Sequence, residues 1–414
     1  MINPNEKKKQ ISCIFKVNEF SNCLNQKFTW EWSGLILIHL KNTIKPHYLS
    51  YRFMFLSLLS KVLFFRKRPA FPEHVKKILV LSPPRIGDVA LCSAAPHALK
   101  SSYPHSELHV LANKHVAELF SLIPDVDSVF QMKSSILNKV KLLSQLRQFK
   151  YHLLIDLNFD YHFWPSFVAA STGAFSVGYE YAGRGFAFSR KLPQPKNDKH
   201  ATAIFLEPVM QVIPSVETVK PHIAVPDELI SETQKTLSGL GILEKEKVIL
   251  IHPGAHHPTQ RWLPEYFAET ADKIIEAGWA RLIFVGGPNE RELIEKIQLL
   301  MTKEPDTCFV GLGIKDLIGL IHRADLMICN NSGPLHIAVS TNTQTVSTMG
   351  PTIKKRWMPV GDIHKVLRID NLPCIGCNLG YCKIKTHDCM RLIRPSMVLA
   401  AVKDLLLMGR PGRE

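Results

Sequence analysis

Three short segments of this chain hold residue types that can do chemistry, and each stands where an apolar run gives way to helical spacing. The first is Arg85-Ile86-Gly87-Asp88-Val89. Gly87 lets the backbone turn tightly and lets a ligand approach. Asp88 stands at the start of a helical pattern, where a carboxylate is electrostatically favoured. It suits a helix cap, or a general base poised over a cleft. The second is His252-Pro253-Gly254-Ala255-His256-His257-Pro258-Thr259-Gln260-Arg261-Trp262. Its loop amides, with Thr259, Gln260 and Arg261, suit a phosphate. The third is Asn330-Asn331-Ser332-Gly333-Pro334-Leu335-His336. Ser332 can cap the next helix, Gly333 permits close backbone approach, and Pro334 suits a first-turn position. Exposed amides there could seat a diphosphate. Gly286-Gly287-Pro288-Asn289-Glu290 is a similar turn, in which Glu290 is expected to be free to accept ribose hydroxyls.

The elements that must position these turns are legible from periodicity. Lys77–Leu81, Glu107–Ala112, Ser128–Met132 and His152–Leu157 read as strands, and the spacing predicts helices over Ile86–Lys100, Lys114–Ser121 and Ser135–Phe149. Residues 190–222 carry five prolines and read as a connection with a helix inside it at Thr202–Val212. The alternation then restarts. Strands are expected at Val248–His252, Arg281–Val285, Thr307–Val310, Leu326–Cys329 and Thr345–Met349. Helices are expected at Pro264–Ala277, Asn289–Met301, Lys315–Arg323, Pro334–Ser340 and 395–408. Alternation with buried strands means parallel sheet and right-handed crossovers. The expectation is α/β: two doubly wound halves facing a cleft, with ligands at the carboxyl ends of strands. The expected division is an extension over 1–75, halves over 76–213 and 214–394, and a closing helix and tail over 395–414.

Charge narrows the partners. The chain has 51 Lys plus Arg against 36 Asp plus Glu, a balance of +15 in 414 residues. Residues 1–75 hold 12 basic and 4 acidic residues, so +8 sits in less than a fifth of the chain. A basic excess implies anionic partners. No RNA-recognition, zinc-finger or basic-zipper signature is present, so nucleic acid is set aside. The apolar run Phe53–Phe65, ended by Arg66, Lys67 and Arg68, could lie in a membrane interface or add a helical layer. It falls short of a membrane span and begins too late for a secretory signal. The cytosol is therefore the expected compartment, with contact at a membrane surface open.

Nine cysteines in a reducing compartment argue against a disulfide framework. Cys374, Cys377, Cys382 and Cys389 are clustered, with spacing that would fit a tetrahedral structural metal, a redox pair or a plain loop. Asp125-Val126-Asp127 has the form of an acidic metal motif but follows a proline, and a plain turn is expected. His256 and His257 lack a nearby third ligand. No metal or cofactor is expected at the site.

The ordered set RIGDV at 85–89, HPGA at 252–255, RW at 261–262, GGPNE at 286–290 and NNSGPLH at 330–336 resembles glycosyltransferase family nine, the ADP-heptose:lipopolysaccharide heptosyltransferases. GPTIKKRWMPVG at 350–361 resembles a further stretch of that family. The resemblance covers about 77–400. It implies a GT-B fold of two Rossmann-like domains, with acceptor mainly on the first and nucleotide sugar mainly on the second. It implies inverting transfer of heptose from ADP-heptose to the lipopolysaccharide inner core, an anionic glycolipid. By the same resemblance Asp88 matches the general base, and Ser332, Gly333 and His336 fall in the nucleotide-sugar loop, with Arg85, Gly87, Asn331 and Leu335 beside them. Gln260 stands where the family commonly has lysine, and Asn331 where it often has aspartate. Transfer of another nucleotide sugar, epimerisation of a sugar nucleotide, and binding without turnover also fit the residues.

Overall fold

The computed structural model describes residues 68–133, 135–160, 162–181, 184–196, 198–213 and 220–409. The run Phe53–Phe65 and the basic extension before residue 68 lie outside them. The described residues form one compact unit.

Its first half contains strands β1 (Lys77–Leu81), β2 (Glu107–Asn113), β3 (Ser128–Met132), β4 (Leu153–Asp156), β5 (Phe175–Tyr179) and β6 (Arg190–Leu192), all parallel, in the order β3-β2-β1-β4-β5-β6. Between and after them run α1 (Ile86–Cys92), α2 (Ala94–Ser102), α3 (Lys114–Phe120), α4 (Ile136–Gln148), α5 (Trp164–Thr172) and α6 (Ala201–Met210). Helix α7 (Asp227–Gly239) leads into the second half. There β7 (Val248–His252), β8 (Arg281–Gly286), β9 (Thr307–Val310), β10 (Leu326–Asn330), β11 (Gln344–Thr348) and β12 (His364–Leu367) form a second parallel sheet, ordered β12-β11-β10-β7-β8-β9. Its helices are α8 (Pro264–Glu276), α9 (Arg291–Leu300), α10 (Ile314–Arg323), α11 (Gly333–Ser340), α12 (Lys354–Trp357), α13 (Asp388–Arg391) and α14 (Pro395–Met408).

The two sheets share one strand order, each starting at its centre and winding out both ways. Each therefore has a switch point, between β1 and β4 and between β7 and β10, where crevices open at carboxyl ends. The central strands are apolar on both faces because helices cover both: Ile78, Leu79, Val80, Ile249, Leu250 and Ile251 are fully buried. One apolar cluster continues from the first half into the second, joining Val89 and Leu91 of α1 to Leu335 and Ile337 of α11. Helix α14 packs its Val398, Val402 and Leu405 into the core of the second sheet.

Several elements differ from the sequence reading. The single helix expected over Ile86–Lys100 is two helices, broken at Ser93. Its hydroxyl donates to Ala90 O at 2.7 Å and accepts from His222 N at 2.9 Å. Pro96 has no N–H for a continuing helix, so the chain restarts. Residues 190–192, read as connection, add the edge strand β6; only an edge tolerates the prolines that follow. Strands β5 and β12 and helices α5 and α7 were not anticipated. Helix α10 begins at Ile314 and β10 extends to Asn330, one residue beyond the expected end in each case.

The halves meet glycine to glycine. A Cβ on Gly87 would stand 2.9 Å from Gly333 Cα and 3.2 Å from His336 Cδ2, and one on Gly333 would stand 2.8 Å from Ile86 Cγ1. Ser340 Oγ also donates across to Ala90 O at 3.2 Å, and His200 Nε2 to Met358 O at 3.1 Å. Gly87→Ala should therefore press one backbone onto the other and destabilise the chain by about 1–3 kcal/mol. Gly239→Ala, at a helical position with open space around it, should leave the melting temperature unchanged or raise it. Calorimetric melting of both variants reads the difference. Equal melting temperatures for the two would show that the contact between the halves can loosen without cost.

Candidate active site

A cavity of about 880 Å³ opens between the halves, at the carboxyl ends of both sheets. From the first half it is lined by the turn after β1, Arg85 to Asp88, and by His115. From the second it is lined by the turns after β7, β8 and β10, with Trp357 of α12 closing one side. All three chemistry-bearing turns found in the sequence thus face one space.

Asp88 sits in the third position of α1 and is 6% exposed. Burial pushes its carboxyl up to about 6; Arg85 and Arg356 pull the other way, and Asp160 adds to the rise. The group is ionised at neutral pH but holds its charge at a cost, which is the state a general base needs. Arg85 precedes α1 in extended backbone and makes no capping bond.

Arg356 is the residue that sequence reasoning missed. It comes from α12 in the second half, is 9% exposed, and lies over Phe159 at 4.8 Å and Trp357 at 5.4 Å. Phe159 and Asp160 belong to the loop after β4, held from beneath by a fully buried ion pair between Asp156 and Arg184. Arg184 also donates to Asp160 O at 2.6 Å. The RW pair at 356–357 was visible as a family phrase. Nothing in its spacing said that it crosses to the first half and lies within electrostatic reach of Asp88 and Asp160.

The turn after β10 is held by Asn330, which is fully buried. Its amide donates to Pro253 O at 2.7 Å and Gly254 O at 3.2 Å, and its oxygen accepts from Trp262 N at 2.8 Å and Thr348 Oγ1 at 2.9 Å. One side chain thereby locks the turns after β7 and β10 together. Asn331 lines the cavity and donates to Trp357 O at 3.1 Å. Helix α11 opens at Gly333 with Pro334 in its first turn, so its leading amides border the cavity. His336 lines the same wall; burial, with His200 nearby, pushes it down to about 3, so it is neutral.

Four expectations need correction. Ser332 takes the cap position of α11, but its hydroxyl makes no capping bond. Leu335 is fully buried and packs in the core, away from the cavity wall. Thr259 turns from the cavity: its hydroxyl donates to Leu379 O at 2.6 Å, and its carbonyl accepts from His387 at 2.8 Å. Glu290 is not free. Its Oε2 accepts from Gly287 N at 2.8 Å and lies 3.1 Å from His252 Nε2. Burial works to raise its carboxyl, but these donors outweigh it and hold it below the usual range. Gly333, read as room for a ligand, also serves the contact with Ile86.

Gln260 and Arg261 do face the cavity. Gln260 accepts from His257 N at 3.3 Å, and Arg261 Nε donates to Ala255 O at 3.2 Å, which aims its guanidinium along the wall. The cysteine loop backs this turn. Cys374, Cys377, Cys382 and Cys389 line a separate cavity of about 60 Å³ with Thr259 and His387, and all four are free thiols. Among the described residues no group of three or more His, Cys, Asp or Glu is placed to hold a metal ion. Asp125 and Asp127 lie in a turn and bond His97 at 2.9 Å and Lys100 at 2.8 Å.

Comparison with known proteins agrees with this geometry. Residues 139–386 match the family model of glycosyltransferase family 9 (heptosyltransferase). Lipooligosaccharide heptosyltransferase 2 of Haemophilus influenzae is 23% identical over 347 residues, covering 80% of this chain and 99% of its own. The crystal structure of a family 9 glycosyl transferase from Veillonella parvula superposes with a TM-score of 0.74 at 21% identity, covering 82% of this chain and 100% of that one. The structure of E. coli ADP-heptose lps heptosyltransferase II gives 0.68 at 22% identity, covering 80% and 99%. The fold is GT-B, and the chain belongs to glycosyltransferase family 9, the heptosyltransferases.

Proposed function

We propose that this glycosyltransferase moves heptose from ADP-heptose to the inner core of lipopolysaccharide, with inversion at the anomeric carbon. The observation that carries the reading is the pairing within one cavity of a buried carboxyl from the first half and an open helix start from the second. The relatives named above supply the donor and acceptor classes. In this reading the acceptor sits against the first half and the nucleotide sugar against the second.

The acceptor hydroxyl attacks the anomeric carbon as the bond to the diphosphate breaks, and Asp88 takes the hydroxyl proton. The departing diphosphate gathers negative charge. It meets the leading amides of α11 and the Arg261 guanidinium, which are already oriented and need no rearrangement. Arg85 and Arg356 keep Asp88 ionised near neutral pH and draw an acceptor that carries phosphate and carboxylate groups. No helix among the described residues is long and apolar enough to cross a membrane, so a lipid-linked acceptor would be met at a surface. We assign that surface to the cytoplasmic face of the inner membrane.

Asp88→Asn should lower turnover by roughly 100-fold or more while leaving ADP affinity unchanged. A variant retaining more than about a tenth of the rate would remove Asp88 from the role of base. In the unsubstituted chain kcat/KM should fall as pH drops through about 6, the point at which Asp88 takes up its proton. An activity profile flat down to about pH 5 would contradict that assignment.

The same substitution carries a stability readout of opposite sign. The folded carboxyl titrates near 6 against an ordinary 3.8, so the folded chain holds the proton that the unfolded chain has lost. Stability therefore declines as pH rises from about 4 through about 6. Asp88→Asn escapes this and should be more stable near pH 8 by on the order of 2–3 kcal/mol, the gap closing toward pH 4. Melting curves across that range test it.

Arg261→Ala should raise the ADP dissociation constant about 10- to 150-fold, the worth of one charge-assisted bond. Calorimetric titration of ADP, with UDP and GDP for comparison, measures this. Unchanged affinity would place the diphosphate elsewhere, and equal affinity for all three nucleotides would leave the ADP-linked donor without support.

A further inference from the structure

Helix α4 presents an apolar face to solvent where a surface helix ordinarily presents charge. Ile136, Leu137 and Val140 in its first turns are 78%, 75% and 59% exposed. Phe163, just before α5, is 40% exposed. Helices α4 and α5 pack together, and Lys139 of α4 lies over the Trp164 ring at 5.3 Å, which joins the two starts into one patch. Along α4 and its flanks the charge has a single sign. Residues 133–150 hold Lys133, Lys139, Lys141, Arg147 and Lys150 and not one Asp or Glu.

We infer that the start of α4, with Phe163, docks on an anionic lipid bilayer. Exposed aliphatic side chains ringed by lysines match an interface in which apolar groups enter the acyl boundary and ammonium groups meet phosphates. A second copy of the chain fits poorly, since two such patches would oppose five cations with five.

The position suits catalysis. Strands β1, β3 and β4 are parallel, so the turns that follow them lie along one edge of the sheet. Asp88 follows β1, the patch on α4 follows β3, and Phe163 follows β4. Strand β3 is two strands from β1, a lateral distance of about 10 Å. A bilayer against the patch would present its headgroups beside the mouth of the cavity, on the half assigned to the acceptor. This functional consequence rests on the reading of a lipid-linked acceptor; the docking itself does not.

The test uses the full chain with vesicles of phosphatidylcholine alone and of phosphatidylcholine mixed with phosphatidylglycerol. Hydrogen exchange should slow across residues 135–141 with the anionic vesicles and not with the neutral ones. That readout is local, so lipid binding by any other segment does not mimic it. Leu137→Glu with Val140→Glu adds two negative charges and should weaken sedimentation with anionic vesicles about 25-fold, roughly fivefold per unit of charge. Lys133→Gln with Lys141→Gln removes two positive charges without touching the apolar face and should give a similar loss. Both pairs are surface changes and should leave turnover on a lipid-free acceptor intact. No local protection, or undiminished sedimentation of both variants, would overturn the proposal. So would a dimer that the glutamate pair abolishes in a chain that binds no vesicles. Failure of transfer with every donor, with vesicle protection retained, would sink the proposed reaction and leave the docking standing.

Discussion

Everything at the centre of this molecule depends on the closeness of Gly87 to Gly333. Two helices that belong to different sheets begin there, start to start, and neither glycine adds a side chain to the contact. A methyl group on either would meet the backbone or Ile86 of the other half at under 3 Å. That contact places a carboxyl on α1 and the unpaired amides of α11 on the walls of one cavity. The apolar cluster behind it continues through both halves, so the two-sheet arrangement is anchored as a core and not as a loose hinge.

Around this contact the protein collects costs that a purely structural interface would avoid. Asp88 is buried as a carboxyl whose ionised form is disfavoured, and Arg356 is buried opposite it between two aromatic rings. Neither residue needs to be charged for the core to pack. The compensation lies one layer below. Asn330 satisfies four backbone and side-chain partners with one amide, and the Asp156–Arg184 pair holds the loop that carries Phe159 and Asp160. Such paired buried polar groups hold the walls in place, while the groups facing the cavity keep unspent capacity for a ligand.

The second half illustrates how a turn becomes dedicated. Of residues 252 to 262, His252, Ala255, His256, His257, Gln260 and Arg261 line the cavity, whereas Thr259 is spent on the cysteine loop behind it. Glu290 is likewise engaged by His252 and Gly287. The wall that the second half presents to the cavity is therefore made of amides, one guanidinium and neutral histidine more than of free carboxylates.

The amino-acid sequence by itself determined the architecture. Short apolar runs alternating with amphipathic ones dictate parallel sheets covered on both faces, and special turns after β1, β7, β8 and β10 mark where ligands can approach, because these signals are local. Some losses were local too. Pro-rich stretches hid β6, and Ser93 with Pro96 split a helix that periodicity alone would continue. What only the tertiary structure decided is which side chain at each turn remains available. Leu335 and Thr259 carry the right neighbours in sequence yet point to the core and to the cysteine loop. Arg356, whose RW pair was visible as a phrase, reaches across to the first half, which nothing local encodes. For Thr259 and Arg356 the deciding partners lie 120 to 268 positions away, and no spacing within a motif encodes partners at that distance.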